Sequence, residues 1–195
     1  MDDFTNRFFA TPVLGHEVAL EVSQCIGAFR LLKEAFMISY NMQDYDFWGN
    51  GRLSMLLRRQ LANGARIILM TTPPSGKGNN QAFKDKFTLL EELDRNGVDI
   101  YLHDRLHAKA YLFLDDRTVK TTVVGSANLT HKGFGIRSAP TDSLLELALI
   151  TKDPEVHRQT AQVIQNKLIG DSKSMDFTTW MAMNRGKIAL AKGGS

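Results

Sequence analysis

Two apolar runs around a short polar turn constrain the fold of this chain most. Residues 107–114 read HAKAYLFL, residues 119–124 read VKTTVV, and the polar residues 115–117 stand between them. Runs of this length, rich in β-branched and aromatic residues and joined by turn residues, predict a β-hairpin. So apolar a hairpin must be covered by other elements, which requires a larger sheet.

The rest of the chain supplies those elements. Apolar residues recur at helical spacing over 16–33, 54–63 and from Phe83 to Asn96-Gly97, and Asp153-Pro154 opens a last helix. Its inward positions are predicted to be Val156, Val163, Ile164 and Leu168. Further strands are predicted over 36–40, 65–71, 98–102 and 144–150. Helices and strands alternate first and strands dominate later, which predicts an α/β fold with a mixed β-sheet flanked by helices on both faces.

The length of 195 residues fits one domain, which we place at residues 1–170. Residues 171–195 are interpreted as a basic C-terminal tail or the start of a missing domain. The formal net charge of +3 is small. It permits a nucleic-acid partner without demanding one.

Other features narrow the class of protein. Cys25 stands alone, so an intrachain disulfide and a cysteine zinc site are excluded. No apolar run approaches the length of a membrane span, and the first residues do not resemble a signal peptide. We therefore expect a cytoplasmic protein with no membrane partner.

A histidine and a lysine interrupt the first run of the hairpin. Because side chains alternate along a strand, His107 and Lys109 should share a face with Tyr111 and Phe113. The pair alone is more typical of two polar residues at the solvated end of a strand than of a functional site.

The sequence GSANLT at 125–130 follows the second run. Gly125 permits close approach of a ligand, and Ser126 and Asn128 can donate hydrogen bonds to an anion beside His107 and Lys109. A turn closed by a serine or asparagine side chain is the other interpretation. His131 follows closely and is a candidate substrate-binding residue.

Glu146 interrupts the later apolar run LLELALI. A buried carboxylate needs a partner, and a histidine would serve, leaving its other nitrogen free to react. A glutamate on an edge strand facing water is the alternative. Lys77, in the loop PPSGKGNNQ, is a further candidate for contact with a nucleic-acid backbone, unless that loop is simply flexible.

Together these residues suit phosphodiester chemistry. Neutral His107 is a nucleophile able to form a phosphohistidine. Lys109, Ser126 and Asn128 would stabilise charge on the transferring phosphoryl group. These fixed donors could replace metal ions, so neither a metal nor another cofactor is expected.

The order of these motifs resembles the phospholipase D superfamily. The resemblance covers about residues 30–150 and lies in His107-Ala-Lys109, then Gly125-Ser126-Ala-Asn128, then Glu146. It implies a phospholipase D-like fold, a metal-independent reaction and a covalent phosphohistidine. It also implies two HxK motifs per finished site, whereas this chain has one. Each chain would then hold one active-site half, and a homodimer would share the site.

One position departs from the family pattern. Five residues after the lysine, where the family usually has Asp, stands Leu114, and Asp115 is interpreted as a turn residue. In this respect the chain resembles the phospholipase D-like nuclease domains of metal-independent restriction endonucleases, which implies a DNA substrate. Two alternatives stay open: a phospholipid phosphodiesterase and a non-catalytic nucleic-acid-binding protein. The sequence does not decide between DNA and RNA, or between single and double strands.

Overall fold

The structure is a computed structural model that describes residues 12–27, 31–44, 52–78, 80–118, 120–130 and 145–193. Its strands, in chain order, are β1 (Pro12–Leu14), β2 (Leu32–Ser39), β3 (Arg66–Thr71), β4 (Asp99–His103), β5 (Lys109–Asp115), β6 (Lys120–Gly125), β7 (Leu145–Thr151) and β8 (Ser174–Asp176). Its helices are α1 (Gly15–Ile26), α2 (Leu53–Ala62), α3 (Gln81–Arg95), α4 (Pro154–Val163), α5 (Phe177–Met183) and α6 (Arg185–Ala191). A π-helical segment, Ile164–Ile169, continues α4.

The described strands form one mixed sheet in the order β1-β7-β6-β5-β2-β3-β4-β8. Strands β2, β3 and β4 are parallel and are connected through α2 and α3. The other neighbouring strands are antiparallel. The carboxyl ends of β2, β3 and β4 therefore lie along one edge of the sheet, the edge formed by the ends of the strands, where antiparallel β5 begins.

Two apolar layers cover the faces of this sheet. Tyr111 and Phe113 of β5 belong to the layer that contains residues of α1, α2, α3 and α5. The alternate residues Ala110 and Leu112 pack on the other side, against Ile164. The predicted mixed sheet with helices on both faces is thus confirmed, as is the hairpin of β5 and β6.

The boundary between α1 and β2 differs from the prediction. The helix ends at Ile26 instead of residue 33, and β2 begins at Leu32 instead of residue 36. Pairing with β3 and β5 accounts for the longer strand, because Glu34 pairs with Arg66 on one side and Leu114 on the other. Tertiary pairing overrides the local helical pattern here.

The last predicted helix exists, with Asp153 accepting hydrogen bonds at its amino end. Its buried stripe differs in part from the prediction. Ile164 is buried, but Val163 is 55% exposed. Adjacent residues on a helix point in different directions, so both could not face inward. His157, seven residues before Ile164 and therefore on the same face of the helix, is buried instead.

The described part of the segment interpreted as a tail packs on the sheet. β8 pairs with the edge strand β4. The rings of Phe177 and Trp180 are stacked, with centroids 5.9 Å apart, and Trp180 packs on Phe83 and Phe87. These residues extend the same apolar layer that covers β3 and β4. Within the described part of the chain, every helix is too short or too polar to cross a bilayer.

Candidate active site

The sheet edge where β2 ends and β5 begins holds the residues predicted for phosphate chemistry. Ser39 closes β2 and pairs with Lys109, the first residue of β5. Lys109 shares its strand face with Tyr111, which is buried in the layer that contains residues of α1, α2, α3 and α5. His107 precedes the strand by two residues and is exposed.

The side chains of His107 and Lys109 are adjacent, although β5 begins at Lys109 and not, as the sequence predicted, at His107. Nζ of Lys109 lies 3.5 Å from Nδ1 of His107. An ammonium group can only donate, so this contact requires a lone pair on Nδ1. Lys109 is only 8% exposed, and its Nζ lies 5.8 Å from the centre of the Tyr40 ring, within range of a cation–π interaction.

Tyr40 forms the other wall beside the histidine. Its ring centroid is 5.6 Å from that of His107, at an interplanar angle of 46°. Tyr40 remains 44% exposed. An accessible aromatic ring therefore stands next to the imidazole and the ammonium group.

The loop that follows β6 is bonded to the end of β2. The Tyr111 hydroxyl donates to the carbonyl of Ala127 over 2.6 Å. The main-chain N–H of Leu129 donates to Oγ of Ser39 over 3.0 Å, and its carbonyl accepts from the N–H of Gln43 over 2.8 Å. Three contacts, all from other strands or loops, thus hold residues 127–129 in place.

This anchoring orients Asn128. Its Oδ1 accepts a hydrogen bond from the main-chain N–H of Asn41 over 3.3 Å. The carbonyl of Asn41 in turn accepts from the Ser39 hydroxyl over 2.5 Å. Because the oxygen of the Asn128 amide is engaged, its NH2 group is the part left to donate to a ligand.

The other candidates from this loop and β7 have defined strand positions. Gly125 is the last residue of β6 and pairs with Ala148. Ser126 follows it and is exposed. Glu146 lies on β7 and pairs with Val13, but its side chain lies outside what the structure describes. Its predicted partnership with a histidine remains a prediction.

The two other described histidine side chains do not lie beside His107 and Lys109. His103 ends β4 at the same end of the sheet but on the opposite face, and His157 lies on α4. His103 shares its strand face with Tyr101, which packs in the opposite layer, under the π-helical segment. Its Nδ1 accepts from the N–H of Arg105 over 3.1 Å, and Nε2 lies 3.6 Å from Asp171. His157 is buried with Nδ1 3.0 Å from the Thr122 hydroxyl. His131 lies outside the described residues.

Lys77 is exposed in the loop before α3. The next residue, Gly78, is buried against α6, where a Cβ atom would lie 2.1 Å from the carbonyl oxygen of Lys187. Glycine is therefore required by close packing at this point. Asp115 ends β5 and is buried, so it belongs to the strand as well as to the turn.

A cavity of about 740 Å³ that sequence analysis missed opens beside Tyr40 and Asn41. Thr72 and Lys86 also line it. The Lys86 ammonium donates to the Thr72 hydroxyl over 2.8 Å, and that hydroxyl donates to the carbonyl of Tyr40 over 2.8 Å. One signal was available: Lys86 stands three residues after Phe83 and four before Leu90, on the apolar face of α3.

The cavity lining also contains an ion pair. Asp44 lies 2.9 Å from Nε of Arg52 and accepts from the main-chain N–H of Ser54 over 3.0 Å. Asp44 therefore stabilises the start of α2. Nowhere in the described ranges do three histidine, cysteine or carboxylate side chains cluster closely enough to hold a metal ion.

Comparison with known proteins identifies a matching family model and structures with a similar fold. A family model described as "Cardiolipin synthase, PLD-like domain" matches residues 33–168. A polyphosphate kinase from Porphyromonas gingivalis has a similar structure, with a TM-score of 0.56 and 14% identity over 80% of this chain and 24% of that one. A phosphatidylserine synthase from Haemophilus influenzae has a TM-score of 0.59 and 12% identity over 100% of this chain and 45% of that one.

These structural neighbours share the fold at low sequence identity. The present chain spans about a quarter of the kinase and less than half of the synthase. A search of curated protein sequences finds no match.

Proposed function

This chain belongs to the phospholipase D-like domain family of the cardiolipin synthase type, and we propose that it is a metal-independent nuclease that hydrolyses DNA phosphodiester bonds through His107. Its nearest functional counterparts would be the phospholipase D-like nuclease domains of restriction endonucleases. Because the chain belongs to this family, we start from a reaction at a phosphodiester. The nuclease activity, the DNA substrate and the residue roles are the proposal.

One observation carries this proposal: an exposed imidazole stands beside a buried ammonium group at an open sheet edge. A phosphate bound by Nζ of Lys109 would have its phosphorus within reach of His107, because Nζ and Nδ1 are 3.5 Å apart. The NH2 group of Asn128 would donate to a second phosphate oxygen. Ser126 and the unobstructed backbone at Gly125 would assist binding, with His131 and Lys77 contacting the substrate further away.

The first step is attack of the imidazole lone pair on phosphorus. A nitrogen–phosphorus bond forms and the bond from phosphorus to the leaving oxygen breaks. The fragment of the cleaved strand that carries the phosphate therefore remains attached to His107. The leaving oxygen takes a proton from a second imidazole acting as general acid. Lys109 and Asn128 stabilise the negative charge that develops on the other oxygens. Glu146 would orient a histidine by accepting a hydrogen bond from its ring N–H.

The second step releases the product. The second imidazole, now neutral, takes a proton from water, and the resulting oxygen attacks phosphorus. The nitrogen–phosphorus bond breaks, His107 is restored and the strand leaves with a terminal phosphate. The general acid is therefore the general base of this step.

We assign the second imidazole to His107 of another copy of this chain. In the described part of the molecule, His103 lies on the opposite sheet face and His157 is buried against Thr122. A two-fold axis would bring two copies of His107 to one phosphate. Sedimentation of the active species tests this assignment, since a fully active monomer would exclude it.

A phospholipid phosphodiesterase is the second candidate. The family description and the neighbouring phosphatidylserine synthase favour it. The polar cavity beside Tyr40 favours the nuclease, because acyl chains require an apolar lining.

Plasmid nicking in EDTA tests the proposal, with wild-type protein beside His107→Ala and with phospholipid vesicles as a parallel substrate. We expect wild-type protein alone to cleave plasmid. Cleavage that depends on Mg²⁺ would contradict the mechanism, and cleavage that survives His107→Ala would exclude the nucleophile. Hydrolysis of lipid alone would select the second candidate. Plasmid binding without turnover, unchanged in His107→Ala, would identify a non-catalytic binding protein.

A further inference from the structure

The cavity next to the candidate active site shares two walls with it. Tyr40 packs against His107, and the main chain of Asn41 bonds Asn128, while both residues also line the cavity. A substrate held at His107 therefore has this space directly beside its phosphate. The cavity volume of about 740 Å³ is within the ordinary range for small-molecule sites, roughly 300–1,000 Å³.

The lining of the cavity mixes hydrogen-bond donors and acceptors. Its carboxylates are Asp44, Asp85 and Glu92, and its cations are Arg52 and Lys86. Arg52 is already paired with Asp44. The remaining negative charge disfavours a second phosphate as the occupant, because like charges repel. A neutral group with both donors and acceptors fits better.

Lys86 is the lining residue whose charge the described part of the chain does not balance with an ion pair. Among the described residues, no carboxylate lies within ion-pair distance of its ammonium group, and its described hydrogen bond goes to the neutral Thr72 hydroxyl. Burial lowers the pKa of Lys86 from 10.5 to about 8. A partly buried ammonium group to which the described residues supply no counter-charge is unfavourable, and a ligand that bonds to it in the cavity would offset that cost.

We propose that this cavity receives an unpaired nucleobase next to the scissile phosphate, with Tyr40 as the stacking surface at its mouth and Lys86 as a hydrogen-bond donor within. This inference rests on the proposed nucleic-acid substrate and specifies it. A base in the cavity is not paired with a complementary strand, so the preferred substrate is single-stranded or locally unpaired.

Oligonucleotide binding tests the cavity without requiring turnover. Fluorescence anisotropy in EDTA, in the His107→Ala background, gives the Kd of a single-stranded oligonucleotide and of a series with one abasic site moved along the strand. One position should weaken binding roughly tenfold, the size of a lost base–aromatic stack. The same oligonucleotide with its complementary strand should bind more weakly than the single strand.

Lys86→Met and Tyr40→Ala test the assignment to this cavity. In each variant the penalty for the abasic site should fall to at most about threefold, because base and side chain no longer interact. The matched control is Lys84→Met, on the same helix but outside the cavity lining, which should keep the full penalty. Lys86→Met should also raise the melting temperature, whereas loss of a merely structural lysine would lower it.

Several results would overturn the inference. These are a Kd unaffected by an abasic site at every position, a full penalty in Lys86→Met, and equal affinity for single strand and duplex. The proposed nuclease function fails separately: base-dependent binding by a wild-type protein that hydrolyses no nucleic acid would reject the reaction and leave the cavity assignment intact.

Discussion

Nζ of Lys109 lies 3.5 Å from Nδ1 of His107, and the lysine is buried while the histidine is exposed. The ammonium group of Lys109 is therefore held in place by its surroundings, while the imidazole ring of His107 stays accessible to a substrate. The register of β2 and β5 produces it, because Lys109 pairs with Ser39 at the last rung of that ladder. His107 then stands beyond the paired region, beside Tyr40.

Replacing Lys109 should separate catalysis from stability. We expect Lys109→Gln to lower kcat/KM about 10²- to 10³-fold, the usual effect of removing one electrostatic stabiliser of the transition state. The melting temperature should be kept or raised, because no described carboxylate pairs with this buried ammonium group. Lys33→Gln, an exposed position at the opposite end of β2, is the control and should change neither quantity. Near-normal hydrolysis by Lys109→Gln would remove Lys109 from the site.

Asn128 offers a test based on one atom. In Asn128→Asp, the carboxylate can still accept from the N–H of Asn41, so the loop should stay in place. It cannot donate to a phosphate and would repel it, so activity should fall at least as far as in Asn128→Ala. Steady-state kinetics and thermal melting of both variants decide the matter. If Asn128→Asp were the more active of the two, the donor role of the amide would be refuted.

Ser39 should matter for stability through the loop that carries Asn128. Ser39→Ala leaves the buried N–H of Leu129 without its partner, which should lower the free energy of unfolding by about 1–3 kcal/mol. Ser23→Ala is the matched buried control, since that hydroxyl bonds a carbonyl within its own helix, and it should lower stability less. Urea denaturation measures both. An equal fall in the free energy of unfolding in both variants would show that the Ser39–Leu129 hydrogen bond does not stabilise the protein more than an ordinary buried serine contact does.

The pH dependence of stability should report on His157. Burial, with the nearby charge of Lys120, lowers the pKa of His157 below its ordinary value of 6.5, although a backbone hydrogen bond at Thr121 opposes the shift. The unfolded chain therefore binds this proton more readily. Stability is fully present above about pH 6.5 and is lost as pH falls through that value toward the lower folded pKa.

Urea midpoints between about pH 7.5 and pH 5.5 measure this effect, bracketing the ordinary histidine pKa. The fall in midpoint should be smaller in His157→Gln than in the wild-type protein. An identical fall in both proteins would show that other groups control the acid sensitivity.

Much of the architecture was predictable because its signals are local. The hairpin of β5 and β6 follows from alternation and turn residues. Gly64 and Gly97, where φ is +86° and +95°, end their helices as glycine does elsewhere. The start of β2 was not predictable, since residues 32–35 become a strand only by pairing with β3 and β5.

The site was predictable only in part for the same reason. His107, Lys109 and Asn128 stand in motifs with characteristic spacing. Tyr40 and Ser39 carry no such motif and acquire their roles from strands that meet in space. Lys86 approaches Tyr40 through Thr72, and these three residues come from three different elements or loops.

In the proposed reaction, His107 attacks phosphorus and becomes covalently attached to the substrate. The most direct measurement is mass spectrometry of protein denatured during turnover of an oligonucleotide in EDTA and digested under alkaline conditions. We predict a phosphoryl-linked nucleotide on the peptide that contains residue 107, and none in His107→Ala. Turnover with no adduct at residue 107, or with an adduct on another residue, would contradict the account.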